Sequence, residues 1–427
     1  MKTLDPSSKR LYPKFSDPTL RSIAHLRVSH IVSALDSMNS PGAPDSKYEA
    51  TAQALRKWAE YSRHFNKGRP EWRDEFIEIS LAWLGFYCSF EAAKKALNQT
   101  LTRSMSEPIT PRELMAIRRF VSSMGFFSVA ESLEARAIQR ALFDFAHFPN
   151  RWSARNAFAA NLMLGEINSA LVAFRSISDG RKARSYGNIG ELVNLLRSRS
   201  PNEEADIARI LVGPGPLGEQ IRECPSDLIV CRVLMPGVVS WSEDDFTEGR
   251  ADIGYLNGMT TNWLSGLSHS ERKGIIDRFS RIYVKKPTNW STEFTNVGVS
   301  TRITGLFLDG DPNMVPIILA NEILNNVSHV YVAGVTFFVG EEPYRSTDRR
   351  RFGASGKSAD ALGRMSSAPF ERCLALSSHD APANRKVVRM FLNSGHVSGD
   401  TAFMRTIRLS DHDYLLELED LYGRHRR

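Results

Sequence analysis

Cysteine is scarce in this chain. Four in 427 residues (Cys88, Cys224, Cys231 and Cys373), with no C-x-x-C pair, exclude a zinc framework and a disulfide scaffold and make a reducing interior the simpler setting. Long apolar runs are missing too. None approaches the roughly 18 residues of a membrane span, and the opening MKTLDPSSKRLYPKFSDP has no apolar signal core. The expectation is a cytoplasmic protein, with peripheral contact to the inner membrane as the alternative. Charge of one sign is only modestly in excess: 55 Lys and Arg against 48 Asp and Glu give +7. That balance suits anionic ligands or membrane surfaces, and it is too mild to imply nucleic acid. Between Lys47 and about Arg197, proline is scarce and strand-like runs of β-branched residues are lacking, which argues against a sheet there.

What is present is enough for two domains: 42% of the chain is hydrophobic and 10% of the chain is aromatic, which can fill two cores. Residues 1–46 read as a leader and linker, closed by Asn39-Ser40-Pro41-Gly42-Ala43-Pro44. Residues 47–200 read as an all-helical domain. Leu84-Gly85-Phe86, Met124-Gly125-Phe126 and Leu164-Gly165-Glu166 recur at 85, 125 and 165, each before an alanine-bearing segment. Glycine between helices, with small residues where they cross, is the pattern of stacked helical hairpins, loosely like tetratricopeptide arrays; a non-repetitive bundle is the alternative. This half offers a surface for an acceptor or a protein partner.

Ser198 to Glu204 marks the joint, and 205–427 changes character. Strand-length apolar runs at Ile210–Val212, Leu228–Val233, Ile253–Leu256, Ile282–Val284, Ile303–Leu308 and Val330–Val335 alternate with helical stretches. The alternation predicts an α/β layer with a largely parallel sheet. A helix is predicted over Asn313 to Val327, and another over Ala383 to Leu392. The first strand stops at Gly213-Pro214-Gly215-Pro216, a turn where backbone N–H groups could approach a phosphate, although it is not G-x-G-x-x-G and Pro216 removes one donor. Asn257 suits a sugar hydroxyl or base edge, or simply an Asn-Gly turn. Thr304-Gly305 offers a hydroxyl and bare backbone. The run Leu374–Ser378 ends in His379-Asp380, an imidazole able to act as base near neutral pH, with a surface role as the alternative. Tyr344 to Lys357 is basic and glycine-containing, a candidate acceptor loop or solvated face.

In this order (GxGP-type turn, Ala-Asp-Ile with Asn, Thr-Gly, VYVAGVTFF, then His-Asp before a helix) the motifs resemble bacterial relatives of the eukaryotic-type sialyltransferase family. The resemblance spans about 208–400. It implies a Rossmann-like α/β glycosyltransferase domain after the helical half. The donor would be a nucleotide-sugar, CMP-linked with sialic acid or a related acidic sugar, and the acceptor a glycan, glycolipid or glycoprotein. It implies nucleotide binding by Gly213, Pro214, Gly215, Pro216, Asn257, Thr304, Gly305, Gly334 and Thr336, with His379 as general base beside Asp380. It implies no cofactor and no metal; Asp309-Gly310-Asp311 carries the alternative of a divalent cation. Two departures stand out. Cys224 and Cys231 have no cysteine between Thr304 and Gly334 to pair with, and the glutamate that follows the late histidine is replaced by Asp380 and Asn384. Motility-associated sugar transferases and their pterin-pyrophosphokinase-like relatives are similar too. The reading from another class is a non-catalytic helical-repeat adaptor with a degenerate α/β domain.

Overall fold

A computed structural model of the chain describes residues 90–103, 109–123, 125–178, 187–198, 207–215, 227–234, 250–309, 312–340 and 380–423. They fall into two compact units. One holds the described residues up to Ala137 with Tyr422 and Gly423; the other runs from Ile138 to Leu421. The helices over 151–198, assigned above to a helical domain, are in the same unit as the sheet.

In the first unit, α1 (Phe90–Arg103) and α2 (Pro111–Ser123) precede α3 (Phe127–His147), within which the two units divide. Gly125 takes φ +88 and donates its N–H to Ser122 O at 2.9 Å, while Phe126 N–H reaches Val121 O at 3.3 Å. This is the Schellman ending, for which glycine is favoured because it has no Cβ penalty at positive φ. In the second unit, α4 (Arg151–Met163) ends in the same way before α5 (Ile167–Ser178): Gly165 sits at φ +79, with Gly165 N–H on Leu162 O and Glu166 N–H on Asn161 O. The spacing of 125 and 165 therefore marks two equivalent helix ends. Leu84–Phe86 lies outside the described residues.

After α6 (Gly187–Ser198) the chain enters a seven-stranded sheet, all parallel, in the order β5-β4-β3-β2-β1-β6-β7. Its strands are β1 (Arg209–Val212), β2 (Ile229–Leu234), β3 (Ile253–Leu256), β4 (Arg281–Val284), β5 (Val297–Val299), β6 (Val330–Ala333) and β7 (Val397–Gly399). Every carboxyl end opens on one edge. Alternation within each strand sends successive side chains to opposite faces. On one face Leu234, Leu256, Ile282 and Val284 pack against Leu264 of α7 (Gly258–Ser265), Ile276 of α8 (His269–Ile276), Phe279 and Trp290. On the other, Tyr255 meets Glu322 and Asn321 of α9 (Met314–Leu324). Apolar almost all round, α9 is buried from Pro316 to Ile323, as such a helix must be. It neighbours α6 and α10 (Ala381–Asn393). The chain closes with α11 (Thr401–Arg408) and α12 (Asp411–Leu418).

One predicted strand is not a strand. Ile303–Leu308 contains a 3-10 turn at Thr304–Leu306, and its apolar residues are buried without joining the sheet. A short apolar run does not by itself separate strand from buried turn. The fifth strand is instead Val297–Val299, with β7 added at the opposite edge.

A carboxylate holds the last helices together. Arg385 donates to Asp411 at 2.8 Å, Lys386 at 3.1 Å, and Arg389 also pairs with it. Arg385 further donates to the carbonyls of Thr406, Ile407 and Leu409, the exposed ends of α11. Burial alone would push the Asp411 carboxyl up, but Lys386 and Arg389 outweigh it and hold it at about 2. A carboxyl lowered on folding stabilises above its ordinary pKa and loses that contribution as pH falls towards the folded value. Between about pH 4 and 2, wild type should therefore lose roughly 1–2 kcal/mol more than Asp411→Asn, after discounting for partial exposure. Urea midpoints measured across that window check it; parallel curves would remove Asp411 from this role.

Candidate functional site

Strands β2 to β5 are laid down to one side of β1, and β6 and β7 to the other, so the strand order reverses between β1 and β6. In open α/β sheets, the crevice outside the carboxyl ends at such a reversal is where ligands bind. Gly213-Pro214-Gly215 leaves β1 at this point and Gly334-Val335-Thr336 leaves β6. These are the candidate residues that the fold brings together.

How they meet differs from the phosphate-cradle expectation. Gly213 N–H donates to Ala333 O and Gly215 N–H to Gly334 O, each at 2.7 Å. Pro214 has no N–H, so both donors of the described part of the turn are engaged by β6 and its exit; Pro216 lies outside the described residues. A Cβ on Gly213 would sit 2.4 Å from Gly334 O and 2.5 Å from Val335 Cγ2. The glycine is required because the chain's own backbone approaches. Gly334, at φ +66, donates its N–H to Asp400 Oδ2 at 2.9 Å, and Asp400 Oδ1 accepts Phe403 N–H at 2.8 Å as the cap of α11. One fully buried carboxylate thus ties β6 to the helix after β7.

Beyond Thr336 the backbone is strained. Phe337 and Phe338 have φ +46 and +68, and Val339 N–H closes on Thr336 O at 3.0 Å. Two consecutive positive φ values define a mirror-image turn normally built from Gly, Asn or Asp. Phenylalanines there cost about 1 kcal/mol each or more. Tyr414 OH, on the buried side, donates to Phe337 O at 2.9 Å, and the Arg385 guanidinium lies 4.5 Å from the Tyr414 ring centroid. Nothing in the sequence signals this turn, since Phe-Phe is not turn chemistry.

The remaining candidates lie along the same edge but apart from the crevice. Asn257 follows β3, two strands from β1, and its Oδ1 accepts Thr260 N–H at 2.8 Å as the cap of α7. Thr304 and Gly305 form the turn beyond β5, next to α4. Asp380, at φ +44 and buried, caps α10 through Ala383 N–H; Asn384 Oδ1 accepts Asn313 N–H at 2.8 Å, so α10 and α9 start side by side. His379 and Asp311 lie outside the described residues, as do the 344–357 stretch and the 374–378 run. Among the described residues, no three His, Cys, Asp or Glu gather as metal ligands. Cys231 is a buried free thiol. Asp400 is not among the residues singled out from the sequence, although an Asp directly before the amphipathic Thr401–Arg408 is a cap signal. No protein-family model, curated protein or solved structure matches the chain.

Proposed function

We propose that the chain is a glycosyltransferase that binds a nucleotide-linked sugar along the carboxyl edge of its sheet. The observation that supports this most is the reversal of strand order between β1 and β6, with two glycine-bearing turns meeting there. Helices α7, α9, α10 and α11 begin along that edge, at caps Asn257, Asn313, Asp380 and Asp400. Their partial positive ends favour an anionic ligand. The finer picture, a Rossmann-like transferase domain after tetratricopeptide-like hairpins with a CMP-linked acidic sugar as donor, belongs to this proposal and rests on motif order. In it His379 takes the proton from an acceptor hydroxyl, whose oxygen bonds to the sugar carbon as the nucleotide leaves. Asp380 is spent on capping α10 and serves as support.

Saturation-transfer NMR with CMP-, UDP- and GDP-sugars is the test. Binding of one of them, with His379→Ala lowering turnover about a hundredfold at unchanged donor affinity, is the expected result. Failure of every nucleotide to bind at millimolar concentration would overturn the assignment. A second reading, the adaptor with a degenerate α/β domain, has one observation in its favour: the N–H groups of the glycine turn are already used by the chain itself.

A further inference from the structure

The most exposed large aromatic side chains of the described residues gather where α3 turns into α4. Phe148 is 63% exposed, Trp152 65% and Phe143 48%. Every residue from Ala146 to Trp152 is exposed, so this corner protrudes. Large apolar side chains exposed together mark an interaction site more often than ones scattered singly.

The corner is built to hold its rings out. Asn150 Oδ1 accepts the N–H groups of Trp152 at 2.8 Å and Ser153 at 3.1 Å, and Ser153 Oγ accepts Asn150 N–H at 2.9 Å, closing a capping box. Asn150 Nδ2 donates to Phe148 O at 3.0 Å. The His147 ring stacks on Phe143 with centroids 4.0 Å apart, and its Nδ1 lies 3.0 Å from Phe143 O. Pro149 stiffens the three-residue connection. A corner tied this way loses little conformational freedom when its rings are buried.

Its charge has one sign to offer. Asp144, the acid in this stretch, is bound to Arg140 at 2.8 Å, and the Arg140 guanidinium lies over Phe143 at 5.7 Å. Arg151 stands exposed between Phe148 and Trp152. Aromatic rings that enter the headgroup layer, flanked by arginine that meets lipid phosphates, are what an anionic bilayer surface selects. The shape agrees. A protruding corner needs a matching groove on a protein partner, whereas a bilayer interface deforms around it.

We propose that the α3–α4 corner, through Phe148, Trp152 and Arg151, is an anchor that seats the protein on an anionic membrane surface. The proposal stands independently of sugar transfer. The anchor helix α4 also packs against the Thr304–Leu306 turn and α10.

The test is co-sedimentation of the full chain with phosphatidylcholine vesicles, with and without phosphatidylglycerol. Wild type should pellet with the anionic vesicles and less so as salt is raised. Phe148→Ser/Trp152→Ser should lower partitioning about tenfold or more, at an unchanged thermal midpoint because both side chains are exposed. Arg151→Glu, a milder change to the fold, should weaken binding only where phosphatidylglycerol is present. Wild type left in the supernatant with both vesicles would overturn the proposal. So would either variant binding as wild type does, or self-association in light scattering that the double variant abolishes without any vesicle binding.

Discussion

Glu322→Ala should be among the most destabilising single changes in the sheet-bearing unit, costing about 3–5 kcal/mol. Glu322 is almost fully buried on α9, and its two oxygens serve different strands. Oε2 takes Arg209 Nε of β1 at 3.1 Å, and Oε1 accepts the Tyr255 hydroxyl of β3 in a short hydrogen bond. Asn321 Nδ2 donates to the same phenol at 2.8 Å, and Asn321 Oδ1 accepts Thr301 N–H at 3.2 Å beyond β5. Burial first, and then the Glu322 charge, push both the Tyr255 phenol and the Cys231 thiol well up, so both stay protonated. Truncation would strand the buried Tyr255 hydroxyl proton without its acceptor and leave the partly buried Arg209 guanidinium, 24% exposed, without its counter-charge. Glu322→Gln keeps an acceptor and should cost less, about 1–2 kcal/mol. Urea midpoints of the two variants, with Tyr255→Phe combined with Glu322→Ala to expose their coupling, decide the matter. If Glu322→Ala moved the midpoint no more than an exposed substitution does, β1 and β3 would not depend on this carboxylate.

Gly213→Ala should cost about 3 kcal/mol, large for a single added methyl. The methyl would lie 2.4 Å from a backbone oxygen, Gly334 O, and 2.5 Å from Val335 Cγ2. The oxygen cannot retreat without losing the Gly215 hydrogen bond, and Gly334 itself is held by Asp400. Gly274 supplies the comparison. It lies in α8 with nothing within 4 Å of an added Cβ, so Gly274→Ala should stabilise by about 0.5–1 kcal/mol. If Gly213→Ala unfolds at the same urea concentration as wild type, the close approach of the β1 and β6 exits is not what the glycine is for.

That glycine shows how far the sequence could be read. Its place at the end of a strand was visible, and a glycine there invites the close approach of another group, for which a phosphate was the expectation. What approaches it was not visible, because the neighbour of β1 on that side lies more than a hundred residues downstream. Strands β1, β2, β3, β4 and β6 were legible as strand-length apolar runs. The edge strands Val297-Gly298-Val299 and Val397-Ser398-Gly399 were not: each is three residues long with a glycine in it, and half-burial leaves a weak pattern. The buried 303–308 run misled for the opposite reason, since burial without pairing produces the same apolar letters. Asn257 and Asp380 are helix caps. Positions at strand ends and helix starts suit a cap as well as a ligand contact, and the structure shows both residues capping.

The strand order also sets a schedule for synthesis. β1 leaves the ribosome well before the strand that covers its second edge, β6, which pairs residues 330–333 with 209–212. At roughly 5–20 residues per second, the wait is on the order of ten seconds. Meanwhile a central strand of Ile, Leu and Val shows an open row of N–H and C=O groups, a template for pairing with a neighbouring nascent chain. The glycine-proline turn at its end interrupts that row, and the arrival of β6 sets how long the edge stays open.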